Sequence, residues 1–259
     1  MKIQKLISAR DISPNWDQIT ESIYQKLEFL LHIEKYNPCN QRYYVGYDDF
    51  GKIACGAVVY SLKLNILTFS KYSFNITASI VGIPASVDAS GIIGENTESI
   101  NNLIISILQQ EKGVIIGFNC NLINTVDRII KMQTLPTLIF EKKQDSWNDF
   151  LQNIKHNYRR RITKAEEKTA DVEKRVEPCS CFTEEHYNQY LAIMSRTKTK
   201  LETLSFDFFY HLPENYQLTS LYHRNDLLGW HISTSDDQTF YWLCLYIIPI
   251  FFSVCTFFC

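Results

Sequence analysis

The chain carries almost no net charge: 26 lysines and arginines stand against 28 aspartates and glutamates over 259 residues. No global field therefore draws nucleic acid or an anionic membrane to it, and any anion binding has to be local. Metal-ligand spacing is missing as well. The eight cysteines are scattered, and their one close pair, Cys179 and Cys181, is tighter than the gap of a zinc knuckle. The six histidines lie far apart with no pair at ligand spacing, which argues against zinc catalysis. No Ser-His-Asp or Cys-His arrangement can be read from the spacing. Lys2, Lys5 and Arg10 interrupt any apolar run at the start, so no secretory leader is expected, the compartment expected is the cytoplasm, and the thiols are read as structural.

Hydrophobic residues make up 46% of the chain, with 16 phenylalanines and 15 tyrosines. That is enough apolar surface for one large or two modest domains, and two are expected. The aromatic bias favours sheets, so the fold class expected is α+β. Residues 13–33 have helical spacing behind Ser13 and Pro14. Tyr43–Tyr47 and Lys52–Leu62 read as strands joined by hairpin residues Asp48, Asp49 and Gly51, with Leu64–Phe69 continuing the meander. Ile76–Ile83 reads as a further strand. A polar loop then leads to a helix opening at Thr97 or Ser99, with Ile100, Leu103, Ile104, Ile107 and Leu108 as its stripe. Val114–Phe118 reads as a strand buried on both faces. Asn124–Met132 reads as a short helix and Leu135–Glu141 as a strand. A second unit starts near Phe182: a helix capped by Thr183, a short helix around Phe206–Leu212, then strands at Gln217–His223, Leu228–Ser233 and from Thr239 onward. The boundaries expected are 1–145, 146–178, 179–245 and 246–259.

Ser146–Lys168 (SWNDFLQNIKHNYRRRITKAEEK) reads as one amphipathic helix. Trp147, Phe150, Leu151, Ile154, Tyr158 and Ile162 form its apolar face, and Ser146 with Asp149 mark its start. Lys155, Arg159, Arg160, Arg161 and Lys164 follow with no acid among them. The alternatives are an anion site and a solvated face, and three successive arginines cannot all point one way.

This segment, together with Ser205–Ser233 (SFDFFYHLPENYQLTSLYHRNDLLGWHIS), resembles the linker helix and second-domain entry of the FemAB-like acyltransferases, which are built from tandem GNAT domains. The resemblance implies two GNAT-like units around a basic linker helix. It also implies transfer of an acetyl or aminoacyl group, from acyl-CoA such as acetyl-CoA or from aminoacyl-tRNA, to a small-molecule or peptide amine acceptor. No tightly bound cofactor or metal is implied. Lys155, Arg159, Arg160 and Lys164 become the candidate contacts to an anionic group on the acceptor.

A GNAT unit that binds coenzyme A needs a glycine-bearing loop after its fourth strand, where backbone N–H groups cradle the pyrophosphate. The second unit has none, and reads as incomplete. Thr239–Cys259 carries no charge and fits three readings: a membrane anchor, buried strands of a shortened domain, or, favoured, an apolar tail left by truncation or a shifted frame. The first unit offers Gly82, Gly91 and Gly94 ahead of the Thr97 helix, a weak phosphate-loop signal against the plainer reading as a surface loop. His231 is read as a core histidine, and Asp207 and Tyr210 as capping and packing residues. The other functional classes left open are a non-catalytic remnant keeping an anion-binding helix and a tail-anchored membrane protein.

Overall fold

A computed structural model describes residues 1–65, 67, 72, 74–86, 89–120, 130, 146–196, 202–236 and 239–247, the last four by backbone alone. The expected α+β class is found, with two sheets. In the first, Lys2–Leu6 (β1) pairs antiparallel with Arg42–Tyr47 (β2), β2 with Ile53–Asn65 (β3), and β3 with Asn75–Val81 (β4). The two-residue Ile92–Ile93 (β5) also lies on β3, and Val114–Gly117 (β6) runs parallel to β4. A parallel neighbour needs a crossover, and the helix Thr97–Gln110 (α2) supplies it. Successive β3 residues face opposite layers: Ala57 and Val59 pack with Leu103 and Ile107 of α2, whereas Val58 packs with Leu30 and Ile33 of the helix Leu27–Tyr36 (α1).

The second sheet has the order β10-β9-β8-β7, built from Glu173–Pro178 (β7), Gln217–His223 (β8), Asp226–Ser235 (β9) and Phe240–Ile247 (β10), all antiparallel. Trp147–Asn153 (α3) and His156–Lys168 (α4) precede it, and Glu184–Arg196 (α5) and Phe206–Tyr210 (α6) lie between β7 and β8. The largest core cluster draws on both units, with Trp16, Tyr24, Phe29 and Ile33 meeting Phe182, Tyr190, Phe208 and Trp230.

Several expectations are corrected. Residues 13–33 are not one helix: two short 3-10 turns at Pro14–Ile19 and Ile23–Gln25 precede α1. Local polar groups capture the backbone there. Gln25 Oε1 accepts from the N–H groups of Glu21 (2.9 Å) and Ser22 (3.1 Å), and Asp17 Oδ1 takes the Leu27 N–H at 2.8 Å. The basic segment is two helices, because Ile154 and Lys155 turn extended, with ψ of 155° and 141°. The Trp147 indole then donates to Glu166 Oε1 at 3.1 Å, folding α3 back on α4. β6 is not buried on both faces, since Val114 is 46% exposed at the sheet edge. β1 and β7 were not expected; both are edge strands, and β7 lies inside the stretch read as linker. β3 ends at Asn65. The helix read at Asn124–Met132, except Ile130, the strand read at Leu135–Glu141 and the tail beyond Ile247 fall outside the described residues.

Candidate functional site

Of the four predicted anion contacts, the fold separates one from the rest. Arg159 turns back on the end of α3, its Nη2 donating to the carbonyls of Gln152 (3.0 Å) and Ile154 (3.4 Å). It thus satisfies orphan carbonyls at a helix terminus. Lys155, at the start of α4, and Arg160 and Lys164 within it are exposed. Arg160 and Lys164, four residues apart, share a face of α4. The surface offered to an anion is therefore Arg160 with Lys164, flanked by Lys155.

The loop after the fourth strand has a definite construction. Gly82 N–H donates to the Val58 carbonyl (3.1 Å) and Val58 N–H to the Gly91 carbonyl (2.9 Å), so both ends of the excursion are pinned to one residue of β3. The ends lie so close that a Cβ at Gly91 would stand 2.2 Å from the Gly82 nitrogen. Gly94 has φ +132°, and a Cβ there would meet Cys55 Cβ at 2.9 Å. Backbone packing therefore explains these two glycines. Within the loop Ala85 adopts φ +57°, and its N–H donates to Glu202 Oε1 at 2.9 Å, while Asn37 Nδ2 donates to Glu202 Oε2 at 2.8 Å. A carboxylate from the second unit thus sits on an amide of the first unit's loop.

Between the units runs an aromatic seam. His32 of α1 lies 4.9 Å from Phe208 of α6 between ring centroids, Tyr36 stacks on His211 at 4.5 Å, and Tyr24 meets Tyr241 at 5.4 Å. Burial lowers His32 to about 4, the Phe208 and His211 carbonyls opposing the shift and the His211 and Lys35 charges adding to it. At one end of the seam is a cavity of about 240 Å³, walled by Lys26, Glu28 and Phe29 on one side and by Asn215, Tyr216 and Asp236 on the other.

Two other polar clusters are structural. His186 Nδ1 accepts the Thr183 N–H (3.1 Å), which places its proton on Nε2, facing Ser220 Oγ at 3.0 Å. The imidazole therefore donates to Ser220 and does not serve as its base; burial lowers it to about 4. Thr183 and His186 form a capping pair at the start of α5. Glu111, just after α2, collects Lys5 Nζ (2.9 Å), Arg42 Nε (2.9 Å) and Nη2 (2.8 Å), Tyr44 Oη (2.7 Å) and Ser79 Oγ (2.8 Å). Burial pushes its carboxyl up, but these donors outweigh it and hold it well below the usual range. The cluster ties α2 to β1, β2 and β4. Burial raises Cys55 and Cys120 to about 11 and Cys39 and Cys179 to about 12, so these thiols stay protonated at neutral pH. His231 is half-buried and lowered by burial, then by Lys174.

Among the described residues, no group of three His, Cys, Asp or Glu side chains is placed to hold a metal ion, and no helix is long and apolar enough to cross a membrane. Sequence reading missed Glu111, Glu202 and the seam cavity, which only long-range packing assembles. The Thr183-to-His186 spacing is a local signal for the capping pair. No protein-family model and no curated protein matches the chain.

Proposed function

We propose that the chain is an N-acyltransferase of the FemAB-like kind, with two GNAT-like units, acting in the cytoplasm. The observation that carries the reading is the parallel β4–β6 pair, joined through a glycine-bearing loop and α2, within an otherwise antiparallel sheet. That loop follows the fourth strand, the place where a GNAT unit takes its donor's pyrophosphate, and the Ala85 amide already holds a carboxylate there. A second helix-and-meander unit packed against the first supports the tandem arrangement.

In the reaction proposed, an acceptor amine attacks the acyl carbon of acetyl-CoA or of an aminoacyl ester. The N–C bond forms, the C–S or C–O bond breaks, and the amine's proton leaves with the thiol or hydroxyl product. The protein's part is to orient both reactants, stabilise the oxyanion with a backbone N–H and receive a proton. Arg160 and Lys164 are the proposed contacts to an anionic group on the acceptor.

A second reading, a non-catalytic protein retaining an anion-binding surface, has one observation in its favour: among the described residues the second sheet is wholly antiparallel and lacks a counterpart of the β4–α2–β6 crossover. Thermal unfolding with and without acetyl-CoA separates the two, because a donor that binds only the native state stabilises it by about 2.7 kcal/mol at a hundredfold excess over Kd. A saturable rise is expected. No rise, combined with no transfer of label from aminoacyl-tRNA to amines, would overturn the acyltransferase reading.

A further inference from the structure

The loop after β4 already holds an anion, and that anion belongs to the chain itself. Glu202 Oε1 accepts from the Ala85 N–H at 2.9 Å and Oε2 from Asn37 Nδ2 at 2.8 Å. Both donors are neutral, and among the described residues no lysine or arginine pairs with this carboxylate. Its charge therefore stays uncompensated and acts on its neighbours: after burial, Glu202 is the next cause that raises Cys39 and Tyr60.

Both sides of the contact are built. Beyond Glu202, the Leu204 N–H donates to the Tyr190 hydroxyl of α5 (2.9 Å), and Ser205 Oγ donates to the Tyr36 carbonyl at the end of α1 (3.1 Å). The carboxylate is thus delivered by a segment tied to both units. On the other side, the loop is pinned at Gly82 and Gly91 to Val58, and Ala85 takes its positive φ of 57° between them. One backbone N–H and one side-chain amide converge on a single anionic group. Such donors suit a phosphate oxygen as well as a carboxylate. A ligand phosphate reaching them meets a like charge and has to displace Glu202 first.

We propose that Glu202 is an autoinhibitory contact: a carboxylate of the second unit occupies the anion seat formed by Ala85 and Asn37 and competes there with the phosphate of a ligand. The proposal rests on the reading of this loop as the donor's place, and it adds that donor binding releases a contact between the units.

Isothermal titration of the full chain with inorganic pyrophosphate and with acetyl-CoA, at one pH and ionic strength, tests it. Glu202→Ala binds pyrophosphate at least about tenfold more tightly than wild type. Glu202→Gln, which keeps an oxygen for Ala85 and loses the charge, lies between them and serves if the alanine variant does not fold. Adding Asn37→Ala to either variant weakens pyrophosphate binding by about tenfold, because one of the two donors is gone. The proposal is overturned if wild type and the Glu202 variants bind pyrophosphate alike, as they would were Glu202 only a staple between the units. It is also overturned if no form binds at about 10 mM, or if Asn37→Ala leaves the gained affinity intact, which would put the anion elsewhere. Acetyl-CoA separates this proposal from the acyltransferase reading. Equal binding by wild type and Glu202→Ala upholds that reading and overturns the autoinhibitory contact. A gain confined to pyrophosphate, with no acetyl-CoA bound and no transfer from aminoacyl-tRNA, upholds the contact and overturns the reading.

Discussion

Mild acid should destabilise this protein through two buried imidazoles, and the size of the effect follows from their surroundings. His32 is 7% exposed, among Phe29, Tyr36 and Phe208, with the His211 and Lys35 charges nearby; His186 is 2% exposed, between Thr183 and Ser220. Both are lowered to about 4, against about 6.5 in an unfolded chain. A histidine lowered in the folded state binds its proton more readily once unfolded. Its neutral-site stability is therefore complete above pH 6.5 and is lost as pH falls from 6.5 toward 4. At pH 5 each imidazole removes about 2 kcal/mol, and the pair about 4, out of the 5–15 kcal/mol typical of a folded protein. Urea titrations at pH 7.5 and 5.0 read this as a midpoint drop of about 0.8 M per histidine, for a slope of roughly 2.5 kcal/mol/M. His32→Phe, which keeps a ring in the seam and removes a buried Nε2 that has no hydrogen-bond partner among the described residues, cancels its share of the drop. His186→Gln cancels the other share. If the drop from pH 7.5 to 5.0 is the same in wild type and both variants, burial of these imidazoles is not what governs acid stability, and the reasoning fails.

Two further outcomes follow from the first sheet. Glu111→Ala leaves the Arg42 and Lys5 cations without their shared carboxylate, Arg42 being nearly buried; a loss of roughly 3–5 kcal/mol is expected by denaturant titration at pH 7, and a loss under 1 kcal/mol would show that the cluster relaxes into solvent. Gly91→Ala sets a methyl group 2.2 Å from the Gly82 backbone. A loss of about 3 kcal/mol or more is expected in the same assay, and wild-type stability would mean that the two ends of the loop are not in contact.

Where the sequence was legible, the controlling chemistry was local. The Asp48 carboxylate accepts from the Phe50 and Lys52 N–H groups at 2.9 and 2.8 Å, closing the β2–β3 hairpin at the turn read between Tyr47 and Lys52. Arg224 and Asn225 take positive φ of 49° and 71°, as a tight hairpin demands. Ser146 and Thr183 lie at the helix starts their hydroxyls mark, whereas the cap of α6 is Ser205, whose hydroxyl accepts the Phe208 N–H, and not Asp207 as read. Illegible features were of two kinds. Edge strands carry charge in place of a hydrophobic alternation, so Lys2–Leu6 and Glu173–Pro178 hide among solvated stretches. Breaks in a helical pattern leave the apolar spacing intact: Ile154 and Lys155 go extended while Phe150, Tyr158 and Ile162 keep their period, and nothing local marks Arg159 as the group that closes α3.

The candidate site was harder to read than the fold because charge was taken as the signal, whereas the fold concentrates its aromatic residues instead. High Phe and Tyr content favours sheets; in the structure many of these rings lie where the units meet. Tyr24, Phe29, Phe208, Phe209, Tyr216 and Trp230 belong to one cluster, so neither unit closes its core alone. The Arg160–Lys164 face of α4, by contrast, stands on a helix in which only Ile162 is buried. A surface of that kind holds an anion weakly and pays side-chain entropy to do so. The junction between the units is built instead from packed rings, Phe29 stacked on Tyr216 and His32 edge-on to Phe208, so the aromatic content of the chain is used to close the two units on each other.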